Sequence, residues 1–261
     1  MSPPRFRIVT AAATDVGRSR EVNEDAYSVH PDNNVWVLAD GMGGHVGGRI
    51  ASRIAADAVA DFLVRWRKAP DFVWPFEIME SRSDAENCIA NAVRVANVRV
   101  YNRSQVDESC AGMGTTLVAM TYTPDAGFVI GHVGDSRCYR LRKDELTLLT
   151  EDHSLVNHLM KFYHLTEQQA RAKAGKNVII RAVGLEDDVE PELTLDQPEH
   201  GDVYMACSDG LSELVEDWIM GNILVGHQDH LDSAADALVR AANQNGGTDN
   251  ITVLLIRFLR G

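Results

Sequence analysis

A chain of 261 residues with 45% hydrophobic and 24% charged residues has ordinary globular composition and is long enough to bury a sizeable core. Its formal charge of −13, from 25 Lys and Arg against 38 Asp and Glu, disfavours nonspecific binding to nucleic acid or to an anionic membrane. No run approaches the ~20 apolar residues of a membrane span, and the N-terminal MSPPRFRIVT lacks the apolar stretch of a secretory signal. The four cysteines (Cys88, Cys110, Cys138 and Cys207) show no CxxC spacing, which argues against zinc and for buried thiols in a reducing compartment. A cytoplasmic protein without membrane or nucleic-acid partners is expected.

In chain order, residues 6–13 and 26–29 read as strands joined by the polar stretch TDVGRSREVNED. Residues 35–39 form a short apolar run that can be buried on both faces. GMGGHVGG follows, and a helix begins near Arg49 with Ile50, Ile54, Ala58 and Phe62 as one apolar stripe. Residues 69–81, with Pro70 and Pro75, read as a loop. Ser83 and Glu86 have capping-box spacing and open a second helix, whose apolar face is Ile89, Val93, Ala96 and Val100. TTLVAMTYT, AGFVIGHV, RCYRLR and LTLLT predict an antiparallel meander. Residues 152–184 read as mostly helical and polar, with a second capping box at Thr166 and Gln169. VEPELTL, DVYMACSD and NITVLLIRF return to strand character, separated by helices over 217–224 and 230–242. The expectation is one α+β domain over 1–261, with 152–184 as an appended lobe.

Five aspartates sit in turn-prone or glycine-containing settings at the ends of strand-like runs: Asp25, Asp40, Asp135, Asp209 and Asp249. A single Asp next to Gly is usually only a turn residue. Five on one rim of a packed sheet would instead repel one another, by roughly 4 kcal/mol for each pair at about 4 Å and an effective dielectric near 20. Such a group needs a cation, and oxygen-only ligands point to Mg²⁺ or Mn²⁺. A P-loop is excluded, because no GK[ST] follows the glycine-rich segment.

The strings GxxRxxNED (17–25), DGMGGHxGG (40–48), GMGTT (112–116), GDSR (134–137), TxDHS (150–154), SDGL (208–211) and GGTDNIT (246–252) occur in that order. Together they resemble the metal-dependent protein phosphatases of the 2C class, in the bacterial catalytic-domain form, over nearly the whole chain. The resemblance implies a four-layer α-β-β-α sandwich: two antiparallel sheets flanked by helices, with a small helical flap. It implies Asp25, Asp40, Asp209 and Asp249 as metal ligands, with Asp40 bridging two cations and the Gly41 carbonyl as a further ligand. Asp135, with Asp209, would hold a third, weaker metal. Glu24 would contact metal-bound water, Arg20 would bind phosphate, and His45 would act as general acid. Two Mn²⁺ or Mg²⁺ ions could hold a bridging water and make hydroxide available near neutral pH, for attack on a phosphoserine or phosphothreonine protein. A planar guanidinium at position 20 suits two phosphoryl oxygens as lysine does not. Expected partners are phosphoproteins and a cognate serine/threonine kinase, and the expected state is a monomer. A catalytically silent metal-binding phosphoprotein regulator is the alternative, and a metal-dependent nuclease is a third reading, opposed by the acidic balance. His132 and His153 read as structural histidines. The flap segment 160–177 carries AKAGK where relatives have a proline-containing stretch.

Overall fold

The computed structural model describes residues 6–43, 46–69, 71–175 and 178–261. Strand β1 (Phe6–Asp15) leads through the polar loop to β2 (Asp25–His30) and β3 (Val35–Met42). Helices α1 (Gly47–Lys68) and α2 (Asp84–Val106) follow, and then strands β4 (Gly114–Thr115), β5 (Leu117–Thr123), β6 (Gly127–Val133), β7 (Arg137–Arg142) and β8 (Glu145–Leu148). Helices α3 (Leu155–Tyr163) and α4 (Glu167–Ala174) precede β9 (Glu192–Asp196) and β10 (Val203–Cys207). The chain closes with α5 (Asp209–Ser212), α6 (Asp217–Gly226), α7 (Leu231–Gln244) and β11 (Ile251–Arg260). No helix among the described residues is long and apolar enough to cross a membrane.

The strands form two antiparallel sheets, one ordered β1-β11-β10-β7-β8 and the other β2-β3-β5-β6-β9, with β4 paired to the end of β3. Period-2 alternation sorts each central strand between two cores. In β3, Trp36 and Leu38 face the opposite sheet, while Val35, Val37 and Ala39 face α1 and α2. In β11, Leu254, Ile256 and Phe258 face the inter-sheet core, while Ile251, Val253 and Leu255 face α6 and α7. Three apolar layers between four layers of elements give the expected α-β-β-α sandwich. The inter-sheet layer is aromatic: Phe258 meets Phe6, Tyr122, Phe128 and Tyr204 in edge contacts, an arrangement ring quadrupoles favour.

Three local differences from the sequence reading have physical causes. The predicted meander over 115–150 is split between the sheets: β5 and β6 belong to one and β7 and β8 to the other. The chain changes sheets at Gly134, whose φ of +103° lies where side chains are disfavoured and where a Cβ would sit 2.7 Å from Thr116. The buried face of α1 is wider than the predicted stripe. Ala51, Ala55, Val59 and Leu63 are fully buried beside Ala58 and Phe62, and Ile50 and Ile54 are left half-buried at its margin. Finally, residues 178–183 are not helical. They pair with the body through bridges of Ile179 to Ser154 and Val183 to Thr115. The capping boxes at Ser83 and Thr166 both form as predicted. All four cysteines are buried and free.

Candidate metal centre

The five aspartates reach one end of the sandwich from five different elements. Asp25 opens β2 and lies directly opposite Asp40, near the end of β3. Asp209 opens α5, separated from the end of β10 by Ser208 alone, and Asp249 lies two residues before β11. Asp135 sits in the turn where the chain changes sheets, between β6 and β7. Asp40 feels the negative charge of each of the other four.

Polar side chains from both sheets hold these carboxylates in place. Asp25 Oδ2 accepts from Thr252 Oγ1 at 2.6 Å and from Ser208 Oγ at 2.9 Å. Because Thr252 spends its proton on the carboxylate, Thr14 Oγ1 must donate to it at 2.8 Å, and Asn23 Nδ2 donates to Thr14 at 2.8 Å. A directed chain of donors thus runs from the loop to Asp25. The Asp40 carbonyl accepts from Thr116 N and Thr115 Oγ1, both at 2.8 Å. Thr116 Oγ1 lies 2.7 Å from Ser136 Oγ and so ties Asp40 to the turn that carries Asp135.

Asn250 clamps the arginine loop. Its Oδ1 accepts from Glu24 N at 2.8 Å, and its Nδ2 donates to Val16 O at 2.9 Å and Val22 O at 3.0 Å. Arg20 is thereby placed with Nη2 2.7 Å from Asp249 Oδ2, while its side chain stays 47% exposed. Two close backbone approaches require glycine. A Cβ on Gly41 would meet Gly48 O at 2.1 Å, and one on Gly210 would meet Asn250 O at 2.0 Å. These contacts seat α1 and α5 against the rim.

The electrostatics call for a cation. Burial, and then the neighbouring aspartates, hold Asp40 well above the usual carboxylate range; burial, with Asp135 and Asp249 next, does the same for Asp209. Burial pushes Asp25 up to about 6 despite donation from Thr252 and Ser208, and it pushes Asp135 up to about 6 with help from Asp152. Among the described residues, three buried carboxylate oxygens have no hydrogen-bond partner: Glu24 Oε1, Asp25 Oδ1 and Asp135 Oδ1. Orphaned anionic oxygens at this density are costly unless a cation satisfies them. The donor set is all oxygen and fits a hard divalent ion.

A cleft of about 740 Å³ opens over this end, lined by Arg20, Glu24, Asp40, Gly41, Asp209 and Asp249, with Val178 and Ile179 forming one wall. The structure therefore brings together every predicted site residue that it describes: Asp25 and Asp135 do not line the cleft, but both lie close enough to act on Asp40. His45, the expected general acid, lies outside the described residues. Asn250, Ser208, Thr252 and Thr116 were not singled out from the sequence. Three of them lie inside SDGL and GGTDNIT, but their hydrogen bonds join positions remote in the chain.

A second group of ligand types, His132, His153 and Glu192, lies with one ligand atom from each within 4.8 Å. Its hydrogen bonds oppose a metal. His132 Nε2 donates to Glu151 O at 2.8 Å, and His153 Nδ1 accepts from Gly134 N at 3.1 Å. The proton of neutral His153 is then on Nε2, facing Glu192 Oε2 at 3.4 Å, with the Arg181 guanidinium also 3.4 Å away. His153 has no lone pair left for a cation, and Arg181 would repel one.

Comparison with known proteins agrees with the carboxylate cleft. The Protein phosphatase 2C family profile matches residues 16–255. The chain belongs to the protein phosphatase 2C family. It is a metal-dependent protein phosphatase. Protein phosphatase PhpP of Streptococcus pneumoniae is 35% identical over 246 residues, covering 93% of this chain and 94% of that protein. Serine/threonine phosphatase stp of Listeria monocytogenes is 36% identical, with 93% of each covered. Among solved structures, the Mycobacterium tuberculosis serine/threonine phosphatase PstP/Ppp superposes with a TM-score of 0.82 at 32% identity, covering 97% of this chain and 99% of that one. The catalytic domain of PstP in complex with two manganese ions gives 0.81 at 31% identity, covering 98% of this chain and 100% of that one.

Proposed function

We propose that this 2C-family phosphatase removes phosphate from phosphoserine and phosphothreonine residues of proteins, in opposition to a serine/threonine kinase, using two Mn²⁺ or Mg²⁺ ions. The observation that carries the reading is the set of buried carboxylate oxygens without partners beneath a cleft edged by one arginine. Asp25, Asp40, Asp209 and Asp249 would hold the two ions, with the Gly41 carbonyl as a further ligand. Glu24 would orient water, and Asp135 would hold a weaker third ion. Bound there, the ions would supply Lewis acidity toward water and toward the phosphoryl oxygens.

The chain's own residues supply the rest. Thr252 and Ser208 keep Asp25 in one rotamer, so the acidic floor needs little reorganisation as charge builds. Arg20, steadied on one arm by Asp249, can turn its other guanidinium nitrogens to two phosphoryl oxygens. Val178 and Ile179 narrow the cleft and limit bulk water. His45 is assigned the proton for the leaving alkoxide. The chain would act as one domain over 1–261, as a monomer in the cytoplasm, with 152–184 as the flap beside the cleft.

The test is hydrolysis of a phosphothreonine peptide with Mn²⁺, with EDTA, and by Asp209→Asn. Turnover should require the metal and vanish in the variant. Turnover that survives chelation would overturn the reading, and metal-dependent binding without turnover would favour a silent regulator instead.

A further inference from the structure

A second groove, of about 450 Å³, adjoins the catalytic cleft between residues 23–26 and the first turns of α1. The two share the NED segment as a wall: Glu24 lines the cleft, and Asn23 and Asp25 line the groove. On the outer side the groove is basic. Arg49 and Arg53, one helical turn apart, are both exposed along it. Arg49 makes no ion pair among the described residues. Arg53 has only Asp57, at 3.3 Å, with side chains 68% and 55% exposed, a pair of the kind that contributes little and exchanges readily. Between the arginines and the sheet, Ile50 and Ile54 give an apolar floor. The strand beside it, β2, is the outer strand of its sheet and pairs with β3 alone.

We propose that this groove seats the segment flanking the phosphorylated residue of the substrate, in extended form, and selects Asp or Glu side chains on it. The proposal rests on the phosphatase reading above and adds a substrate preference to it. Three features point to that occupant. First, the open edge of β2 favours an extended chain. Second, Arg49 and Arg53 are separated by a rise of about 6 Å along the helix, close to the roughly 6.6 Å between alternate residues of an extended chain. Carboxylates at alternate positions therefore match both guanidinium groups, and their methylene stems lie over Ile50 and Ile54. Third, the protein as a whole carries −13 and repels acidic segments, so the exposed Arg49 and Arg53 in the groove beside the cleft give an acidic segment a local site of opposite charge.

The experiment compares phosphothreonine peptides carrying two Asp at alternate positions, on the N-terminal or the C-terminal side, with the same peptides carrying Asn. Each kcat/KM is divided by that of the same Mn²⁺-loaded enzyme on an aryl phosphate, which reads the metal centre without the groove. The acidic peptide should be preferred about 3- to 10-fold on one side, mainly through KM, and the preference should shrink at high salt. In Arg49→Ala/Arg53→Ala it should fall to near unity. In Arg49→Glu/Arg53→Glu it should invert in favour of Lys at the same positions. Equal use of acidic and neutral peptides on both sides, or a preference that persists in the double alanine variant, overturns the proposal while leaving the phosphatase reading intact. Absence of aryl phosphate turnover in the parent removes both.

Discussion

Two sets of potential metal ligands lie in this molecule, and they differ in what their lone pairs are doing. Around Asp40, buried carboxylate oxygens on Glu24, Asp25 and Asp135 face no donor. Around His153, each ring nitrogen is already engaged by Gly134 or set against Glu192, and the one orphan is His132 Nδ1. By proximity the histidine group qualifies, with one ligand atom of each member within 4.8 Å of the others. The comparison teaches that capacity for a cation is read from unsatisfied acceptors and net charge rather than from crowding of ligand types. The first set is short of donors and carries net negative charge; the second, His132 Nδ1 apart, has its nitrogens committed to hydrogen bonds.

The sharpest way to break this contrast is Asp40→Asn. Phosphopeptide turnover should fall by about three orders of magnitude or more, since a charge is lost from the proposed ion-binding set. The same change should raise the melting temperature in EDTA, because one buried like charge is gone. It should also abolish the stabilisation that Mn²⁺ confers on the parent by mass action. A variant melting lower than the parent in EDTA would contradict the account of the rim as self-repelling.

Next in size is Asn250→Ala, which removes three hydrogen bonds joining two distant loops. A loss of about 2–4 kcal/mol is expected in urea denaturation, with turnover lowered as Arg20 loses its fixed position. Unchanged stability would show that the clamp is redundant. Thr252→Val, which preserves shape, should lower kcat about 10-fold with a smaller stability cost, since Asp25 keeps only Ser208 as a side-chain donor.

The histidine group gives a smaller, pH-dependent effect. Burial, the neighbouring His132 and the cation at Arg181 push His153 down to about 4. A histidine depressed in the fold takes up its proton in the unfolded chain first, near pH 6.5. Its contribution is therefore intact above that value and is lost as pH falls from about 6.5 towards 4. His153→Asn, which keeps an acceptor for Gly134 N, should be destabilised by about 1–2 kcal/mol at pH 7.5. That deficit should narrow as pH is lowered to 5, in paired melts of the two proteins. A constant deficit would argue that His153 is not held neutral. The smallest expected effect is Mn²⁺ stoichiometry in His132→Gln, which should not change.

Much of the acidic centre was legible because each ligand type sits in a short local string. DG after an apolar run and NED before a strand are local signals, and the fold delivers all five aspartates to one rim. The clamp by Asn250 was not legible as a role, since its partners Val16, Val22 and Glu24 lie more than two hundred residues away in sequence. The change of sheet at Gly134 was hidden for a similar reason. Strand runs of equal quality on either side of a turn do not say which sheet each joins, and only the packing of Gly134 against Thr116 decides it. In α1 the predicted stripe included Ala58 but missed Ala51 and Ala55, because small side chains carry a weak hydrophobic signal while allowing the closest helix packing. The non-helical return over 178–183 escaped because its pairing partners, Ser154 and Thr115, belong to other elements.

That return segment gives the lobe containing α3 and α4 a closed neck. Leu155 N bonds to Val178 O and Ile180 N to His153 O, so the two ends of the excursion leave the body side by side. An insertion whose entry and exit are stapled together can be shortened, lengthened or exchanged without telling the sandwich beneath it. The architecture thus separates the acidic floor from an outer module that can be exchanged, and chimeras joined at residues 154 and 179 would inherit the lobe of one parent and the acidic floor of the other.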